Sequence, residues 1–452
     1  MDIIITGGIT VPRNTQLQKH LTYPNPFEPE EEFCGFLDNG DGTITVPRGT
    51  IKSLPTKVNV VSSPISIGID SSFKLRDYQE KPVANIVSLL TGDYSECLLT
   101  AKTGSGKSFS LGFVIKEVGE RTLILAHLSM LTTQMFDELS ANLDADVRIL
   151  DKSNQELGDI NITTFQYLHS NPDFLETIAQ HIGLVVVDEA ENMLSSSRMA
   201  VWYRLKPKYQ LLMTATPSRD LVGRTPMILE LVQKSKHVLM EPIDQIIPQN
   251  IMFDYRHLRF IAPINKMLYK GALTRFFMQS EIVTDTIDLI KELINYHGCV
   301  WIIVDSLKLQ DHIMELLAKQ GINSEVIRGA TSAKERKRIL QDISEKKCRV
   351  ILGSAPLSAG ISIPEFSFAF RLMPHSSSHE LLTQQKGRLK RSADFKSFQR
   401  PLWMDYAIEG SLAWAGKRRF KFYKEQDDFI FGKLQDIKSK LKEIINNEES
   451  SI

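Results

Sequence analysis

Ala101-Lys102-Thr103-Gly104-Ser105-Gly106-Lys107-Ser108 follows the apolar run Cys97-Leu98-Leu99, and further along Leu184-Val185-Val186-Val187-Asp188-Glu189-Ala190 carries a second apolar run into two carboxylates. The glycines of the first stretch let consecutive backbone N–H groups turn toward one anion at the start of a helix, where the dipole already favours negative charge. Lys107 adds a point charge for that anion. Ser108 offers its hydroxyl to a magnesium ion, which Asp188 is placed to hold from the other side, and Glu189 is left to orient an attacking water. The two stretches together predict an ATP site, with Thr103, Gly104, Ser105, Gly106, Lys107 and Ser108 as its cradle. Ala101 occupies the position where the G-x-x-x-x-G-K-[ST] pattern has its first glycine.

At 452 residues the chain outgrows a single core and suggests about three domains, or two large ones with an appendage. Lys plus Arg and Asp plus Glu number 54 each, so a nucleic-acid surface has to be local rather than global. The four cysteines, Cys34, Cys97, Cys299 and Cys348, form no C-x-x-C pair, which argues against a zinc site or a disulfide framework. Asp2 stands where a signal peptide would carry positive charge, and no apolar run approaches the roughly 18 residues of a membrane span. A soluble cytoplasmic protein without a membrane partner is expected.

Residues 1–71 are rich in Gly, Pro and Thr, and their short β-branched runs predict a small β-rich domain. Ile9-Thr10-Val11-Pro12-Arg13 recurs there as Ile44-Thr45-Val46-Pro47-Arg48, a phrase too short to establish a duplication. Over 72–242, strand-like runs at 121–126, 147–150, 184–187 and 209–214 alternate with helical stretches at 81–90 and 131–139. That alternation predicts a parallel sheet covered by helices. A Pro-containing stretch, 242–248, interrupts it. The pattern resumes over 243–452, with strands expected at 300–304, 324–327, 349–353 and 368–372 and helices at 309–319 and 333–343. The tail interleaves cations and aromatics from Lys417 to Lys424, and Leu434, Ile437, Leu441 and Ile444 then recur at helical spacing, predicting a terminal helix lying on the second domain.

Gln384-Gln385-Lys386-Gly387-Arg388-Leu389-Lys390-Arg391 fits the pattern Q-x-x-G-R-x-x-R, and with it the chain resembles the superfamily 2 helicases. The resemblance implies an α/β fold of two RecA-like parallel-sheet domains in tandem after the small β domain. It implies ATP and Mg2+ as cofactors, Arg388 and Arg391 as arginine fingers, and Gln384 near the attacking water. Guanidinium suits the spread charge of a phosphoryl transition state. Leu75-Arg76-Asp77-Tyr78-Gln79 resembles the adenine-reading segment, which assigns Arg76 and Gln79 to the nucleotide. Thr214-Ala215-Thr216-Pro217 resembles the motif that couples hydrolysis to domain movement, through Thr214, Thr216 and the fourth acidic-motif residue. That fourth residue is Glu191 where many members carry histidine, and Ser362, after Gly360, stands where an aspartate commonly contacts the ribose. Thr132, Thr133 and Gln134, then Thr164, Phe165 and Gln166, then Arg328, Gly329 and Ser354 fall where the family follows a single strand along its phosphates.

The Leu-Thr-Thr-Gln-Met phrase at 131–135, the Ala-Gly-Ile-Ser-Ile run at 359–363 and the tail are most similar to the UvsW-type recombination helicases of tailed bacteriophages, and more distantly to RecG-type enzymes. This implies forked and junction DNA as the partner and the cytoplasm of an infected bacterial host as the location. The small β domain would engage duplex DNA, while Lys417, Arg418 and Arg419, with Lys421 and Lys424, would contact phosphates and Phe420, Phe422 and Tyr423 would stack on bases. An RNA helicase and an ATP-gated clamp that does not unwind remain the alternatives, because no residue here tells a ribose 2′-hydroxyl from its absence.

Overall fold

Apolar runs without alternation, such as Leu184 to Val187, belong to strands buried on both faces. The computed structural model describes residues 8–24, 32–50, 61–69, 73–92, 96–101, 105–215, 236–241, 248–296, 299–354, 366–372, 379–387, 389, 401–426 and 429–449. The chain divides into two compact units, Met1–Ile243 and Asp244–Ile452.

In the first unit the early strands are β1 (Gly8–Pro12), β2 (Thr22–Pro24), β3 (Glu32–Cys34), β4 (Leu37–Asp38) and β5 (Thr43–Pro47). β1, β5 and β4 make a small antiparallel sheet over Leu21, Ile44 and Val46, and β2 pairs with β3. The repeated phrase pairs with itself, Ile9 opposite Val46, Thr10 opposite Thr45 and Val11 opposite Ile44. This β-rich segment is fastened to the rest of the unit. Tyr203 Oη donates to the Gly35 carbonyl at 2.7 Å, and the buried Arg48 donates to the Pro207 carbonyl at 3.0 Å.

After β6 (Gly68–Ile69) come β7 (Glu96–Ala101), β8 (Thr122–Ala126), β9 (Leu143–Asp144), β10 (Val147–Ile149), β11 (Ile160–Thr164), β12 (Leu184–Val187), β13 (Tyr209–Thr214) and β14 (His237–Met240). Seven of them form a parallel sheet in the order β10-β11-β8-β12-β13-β7-β14. Leu184 and Val186 of β12 enter the core on one face, Val185 and Val187 that on the other. The helices extend past the sequence expectation at both ends, to Asp77–Thr91 and Ser129–Asn142.

The second unit holds β15 (Gln249–Phe260), β16 (Cys299–Ile303), β17 (Ser324–Ile327), β18 (Val350–Gly353), β19 (Phe366–Arg371), β20 (Leu402–Gly410) and β21 (Phe429–Gly432). They form a second parallel sheet, β17-β18-β16-β19-β20-β15-β21, with the same wiring as the first. Two RecA-like domains therefore stand in tandem. The terminal helix Leu434–Glu449 packs Ile437 and Leu441 into the second core, as its spacing predicts.

The helix Ala413–Lys424 is held to β20 by buried polar groups. Asp405 accepts from Arg419 Nε at 2.8 Å and from Tyr423 Oη at 2.7 Å, Trp403 Nε1 donates to Tyr423 Oη at 2.9 Å, and Arg371 lies 3.5 Å from the same carboxylate. Removing one member strands opposite charge out of water. Asp405→Ala is expected to cost about 3–5 kcal/mol, read as a fall in the urea midpoint.

Candidate nucleotide site and nucleic-acid interface

β7 ends at Ala101, and the chain re-enters the described residues at Ser105, so Thr103 and Gly104 lie outside them. Gly106 takes a left-handed conformation, φ 76°, and starts the helix Lys107–Val118, whose first N–H groups have no partner within the helix and suit an anion. A Cβ at Gly106 would meet Gln79 Nε2 at 2.5 Å, so the position needs glycine for space as well as for φ. Gln79 is buried; its Nε2 donates to the Ser105 carbonyl at 3.0 Å and its Oε1 accepts from the Arg76 backbone N–H at 3.0 Å. Tyr78 Oη also donates to the Ser105 carbonyl, at 3.1 Å. The segment 75–79, which the resemblance assigns to the nucleotide, thus braces Ser105 just before the helix Lys107–Val118. Phe73, stacked on Phe113 with centroids 5.0 Å apart, fixes the helix Asp77–Thr91 against the helix behind the loop. The Ser105 hydroxyl is buried with no hydrogen-bond partner among the described residues, as a donor reserved for an anion would be. Ser108 and Asp188, both half-buried, offer the hard oxygen donors that magnesium takes, so the residues present fit that ion.

The residues assigned to a nucleic-acid strand divide. Thr133, Gln166 and Gly329 are exposed, Gln134 is half-buried, and Thr164 caps the helix Phe165–Ser170 by accepting from the Tyr167 N–H at 3.1 Å. Ser354 lines a cavity at the carboxyl edge of the second sheet. Arg328 donates Nε to Gln310 Oε1 at 3.0 Å and pairs with Asp311. Three assignments are corrected. Thr132 is buried and spends its hydroxyl on the Ser129 carbonyl at 2.6 Å; Phe165 is a core residue; Arg419 is the buried partner of Asp405. The tail aromatics are corrected likewise. Phe420 packs edge-on against Phe429 and Phe431, Phe422 against Tyr423, and Tyr423 is buried. What the helix Ala413–Lys424 does expose is Trp414, Lys417, Arg418, Lys421 and Lys424. The sequence reading missed Trp414, although spacings of three, four and seven from it to Lys417, Arg418 and Lys421 mark one face. Gln384 falls on the helix His379–Gly387, while Arg388, Arg391, Thr216, Gly360 and Ser362 lie outside the described residues.

The acidic edge is built differently from the expectation of a departure at its fourth residue. Asp188 follows β12, and Glu189 takes a left-handed backbone, φ 49°, that costs a non-glycine residue about 1–2 kcal/mol. That turn puts Glu191 under the sheet edge, where it is buried and accepts from Thr214 Oγ1 at 2.6 Å. Glu191 is therefore bonded directly to Thr214, the residue that the resemblance assigns to coupling. Burial pushes the Glu191 carboxyl above its ordinary range, while the Thr214 bond and the Lys107 charge pull it back. After β8, burial pushes the His127 imidazole down to about 4 against the pull of Asp188. His127 is thus neutral in the fold and protonated in the unfolded chain below its ordinary 6.5, so its contribution is full above that pH and is lost as pH falls toward 4. His127→Gln is expected to remove about 2 kcal/mol of the stability loss between pH 7 and pH 5, measured by urea unfolding at both.

The family model for the Type III restriction enzyme res subunit matches residues 72–219, and that for the helicase conserved C-terminal domain matches residues 285–393. The DNA 3'-5' translocase XPB2 of Sulfurisphaera tokodaii is 22% identical over 384 residues, covering 76% of this chain and 84% of XPB2. The UvrABC system protein B of Campylobacter fetus is 41% identical over 70 residues, 16% of this chain and 11% of that protein. Among solved structures, S. cerevisiae Dbp5 bound to RNA and ADP BeF3 superposes with a TM-score of 0.57 at 16% identity, over 84% of this chain and 98% of Dbp5. That last likeness is one of fold. The two family models and the XPB2 likeness support a superfamily 2 helicase, and the tandem RecA-like fold accords with it.

Proposed function

We propose that the chain is an ATP-driven DNA motor that unwinds or branch-migrates forked and junction DNA, in the manner of the UvsW-type enzymes that serve phage recombination, replication and repair. The observation that carries this reading is the gathering of Lys107, Asp188, Glu191 and Thr214 at one edge of the first sheet, with Glu191 bonded to Thr214. Lys107 and the Gly106 turn would seat the phosphates of ATP, Ser108 and Asp188 would hold its magnesium ion, and Glu189 would orient the water. Arg388 and Arg391 would spread the transition-state charge, with Gln384 beside the water and Gly360 and Ser362 near the ribose. Thr214, Thr216 and Glu191 would pass hydrolysis on to movement. On the strand side, Thr133, Gln134, Thr164, Gln166, Arg328, Gly329, Ser354, Lys417 and Arg418 would follow phosphates.

The XPB2 likeness supports DNA as the track, since that relative carries a DNA translocase name over most of the aligned length. Branch migration also suits a small motor. Each pair broken ahead is replaced by one behind, whereas net unwinding costs about 1.4 kcal/mol per step.

ATPase rates on single strands, duplex, fork, four-way junction and RNA, at one salt concentration, test the reading. Highest rates on fork or junction support it; a preference for RNA would replace it with an RNA helicase, and hydrolysis without strand displacement or junction migration would leave an ATP-gated clamp. Lys107→Ala is expected to abolish ATP-dependent work while DNA binding persists. Arg391→Ala should retain ATP binding but slow hydrolysis by about 10³-fold or more, measured in single turnover.

A further inference from the structure

The shared wiring gives each sheet a corresponding strand, β7 in the first and β15 in the second, since β7 lies between β13 and β14 as β15 lies between β20 and β21. The phosphate loop follows β7. After β15 the same position holds a turn that exposes four large apolar side chains beside Asn265 and Lys266. Ile264 is fully exposed, Met267 is 90% exposed, Ile261 74% and Leu268 60%. Scattered apolar residues on a surface need no explanation, but four within one turn form a patch.

The turn is braced. The Ala262 N–H donates to Ser411 Oγ at 2.9 Å, Asn265 Oδ1 caps the following 3-10 turn by accepting from the Met267 N–H at 2.9 Å, and Phe260 packs edge-on against Tyr269 and Phe276. Inner residues Leu273 and Phe277 anchor the next helix, Tyr269–Gln279, in the core. Little conformational freedom is left to lose when something covers the exposed side chains. The segment from 261 to 280 carries Lys266, Lys270 and Arg275, all exposed, and no acidic residue. Its helix forms one wall of a cavity of about 1060 Å³, whose other wall includes Ser306, Lys308 and Ser354. The charge complements a polyanion, and Ser354 is the residue already assigned to the strand.

We infer that the turn Ile261–Leu268 is a strand-separating wedge, in which Ile264 and Met267 stack against the last base pair of a DNA duplex while Lys266, Lys270 and Arg275 hold the flanking phosphates. Apolar side chains do this elsewhere by entering base steps, and the surrounding cations position the backbone without reading sequence. This inference rests on the DNA-motor reading and adds the element that meets the junction.

The test is Ile264→Ser with Met267→Ser in the full chain, and separately Lys266→Ala with Lys270→Ala. A fork carrying 2-aminopurine at its first paired position reports unstacking on binding, with ATPase on single strands and fork displacement measured alongside. The wedge requires the wild-type protein to raise the 2-aminopurine signal without ATP and the apolar double variant to lose that rise. Fork displacement should fall about tenfold with single-strand ATPase unchanged. The lysine pair should weaken fork binding in a salt-dependent way. Unchanged displacement and signal in the apolar variant would overturn the wedge, and so would a proportionate loss of single-strand ATPase, which would make the turn part of the motor's own packing. A change from dimer to monomer in sedimentation on that substitution would also overturn it and make the patch a contact between copies. If the wild-type protein displaces no strand, the motor reading falls, while the 2-aminopurine signal still decides whether the turn meets the junction.

Discussion

Parallel strands all end on the same edge of their sheet, and this constraint gathers the site. β12, β13 and β7 are neighbours, so the acidic residues after β12, Thr214 at the end of β13 and the loop after β7 emerge side by side however far apart they lie in the chain. Reversing any one strand would send its group to the opposite edge. Helices on both faces bury the sheet and leave that edge open, which is why chemistry collects there. The bond from Thr214 to Glu191 and the bracing of Ser105 by Gln79 are local consequences of that adjacency.

The second sheet repeats the wiring and diverts it to other ends. Its core is pinned by a charged cluster around Asp405, rather than by apolar contacts alone, and that cluster consumes a residue from a stretch whose composition suggests a nucleic-acid surface. At the place where the first sheet carries the glycine-rich turn and Lys107, the second presents a braced, largely apolar turn with exposed cations near it. One wiring thereby ends in two surfaces of different chemistry.

The fold was legible because buried parallel strands write themselves as unbroken apolar runs and the helices between them keep their own period. The candidate nucleotide residues stood out in the sequence because a phosphate-binding turn needs glycine, lysine and paired carboxylates at fixed spacing for physical reasons. Surface assignments fared worse. A triplet such as Lys417-Arg418-Arg419 does not reveal which cation turns inward; only the position of Asp405 on a neighbouring strand draws Arg419 away from its exposed neighbours. Thr132 likewise reads as a hydroxyl for phosphate until the Ser129 carbonyl one turn earlier claims it. Glu191 reads as a departure until Thr214, distant in sequence, is seen to donate to it. Contacts of this kind depend on register between strands, which local sequence does not encode.

The pairing of a repeated phrase with itself has its own consequence. Because β1 and β5 share the residues Ile-Thr-Val-Pro and run antiparallel, each is chemically an acceptable neighbour for its own copy in a second molecule, and the hairpin alone would invite exchange of strands between chains. Two asymmetries oppose this. Gly8 sits where any side chain would strike the Tyr203 ring and the Val46 carbonyl, and Arg48 is tied to the Pro207 carbonyl. The main body of the domain thus tells two near-identical strands apart and favours their pairing within one chain.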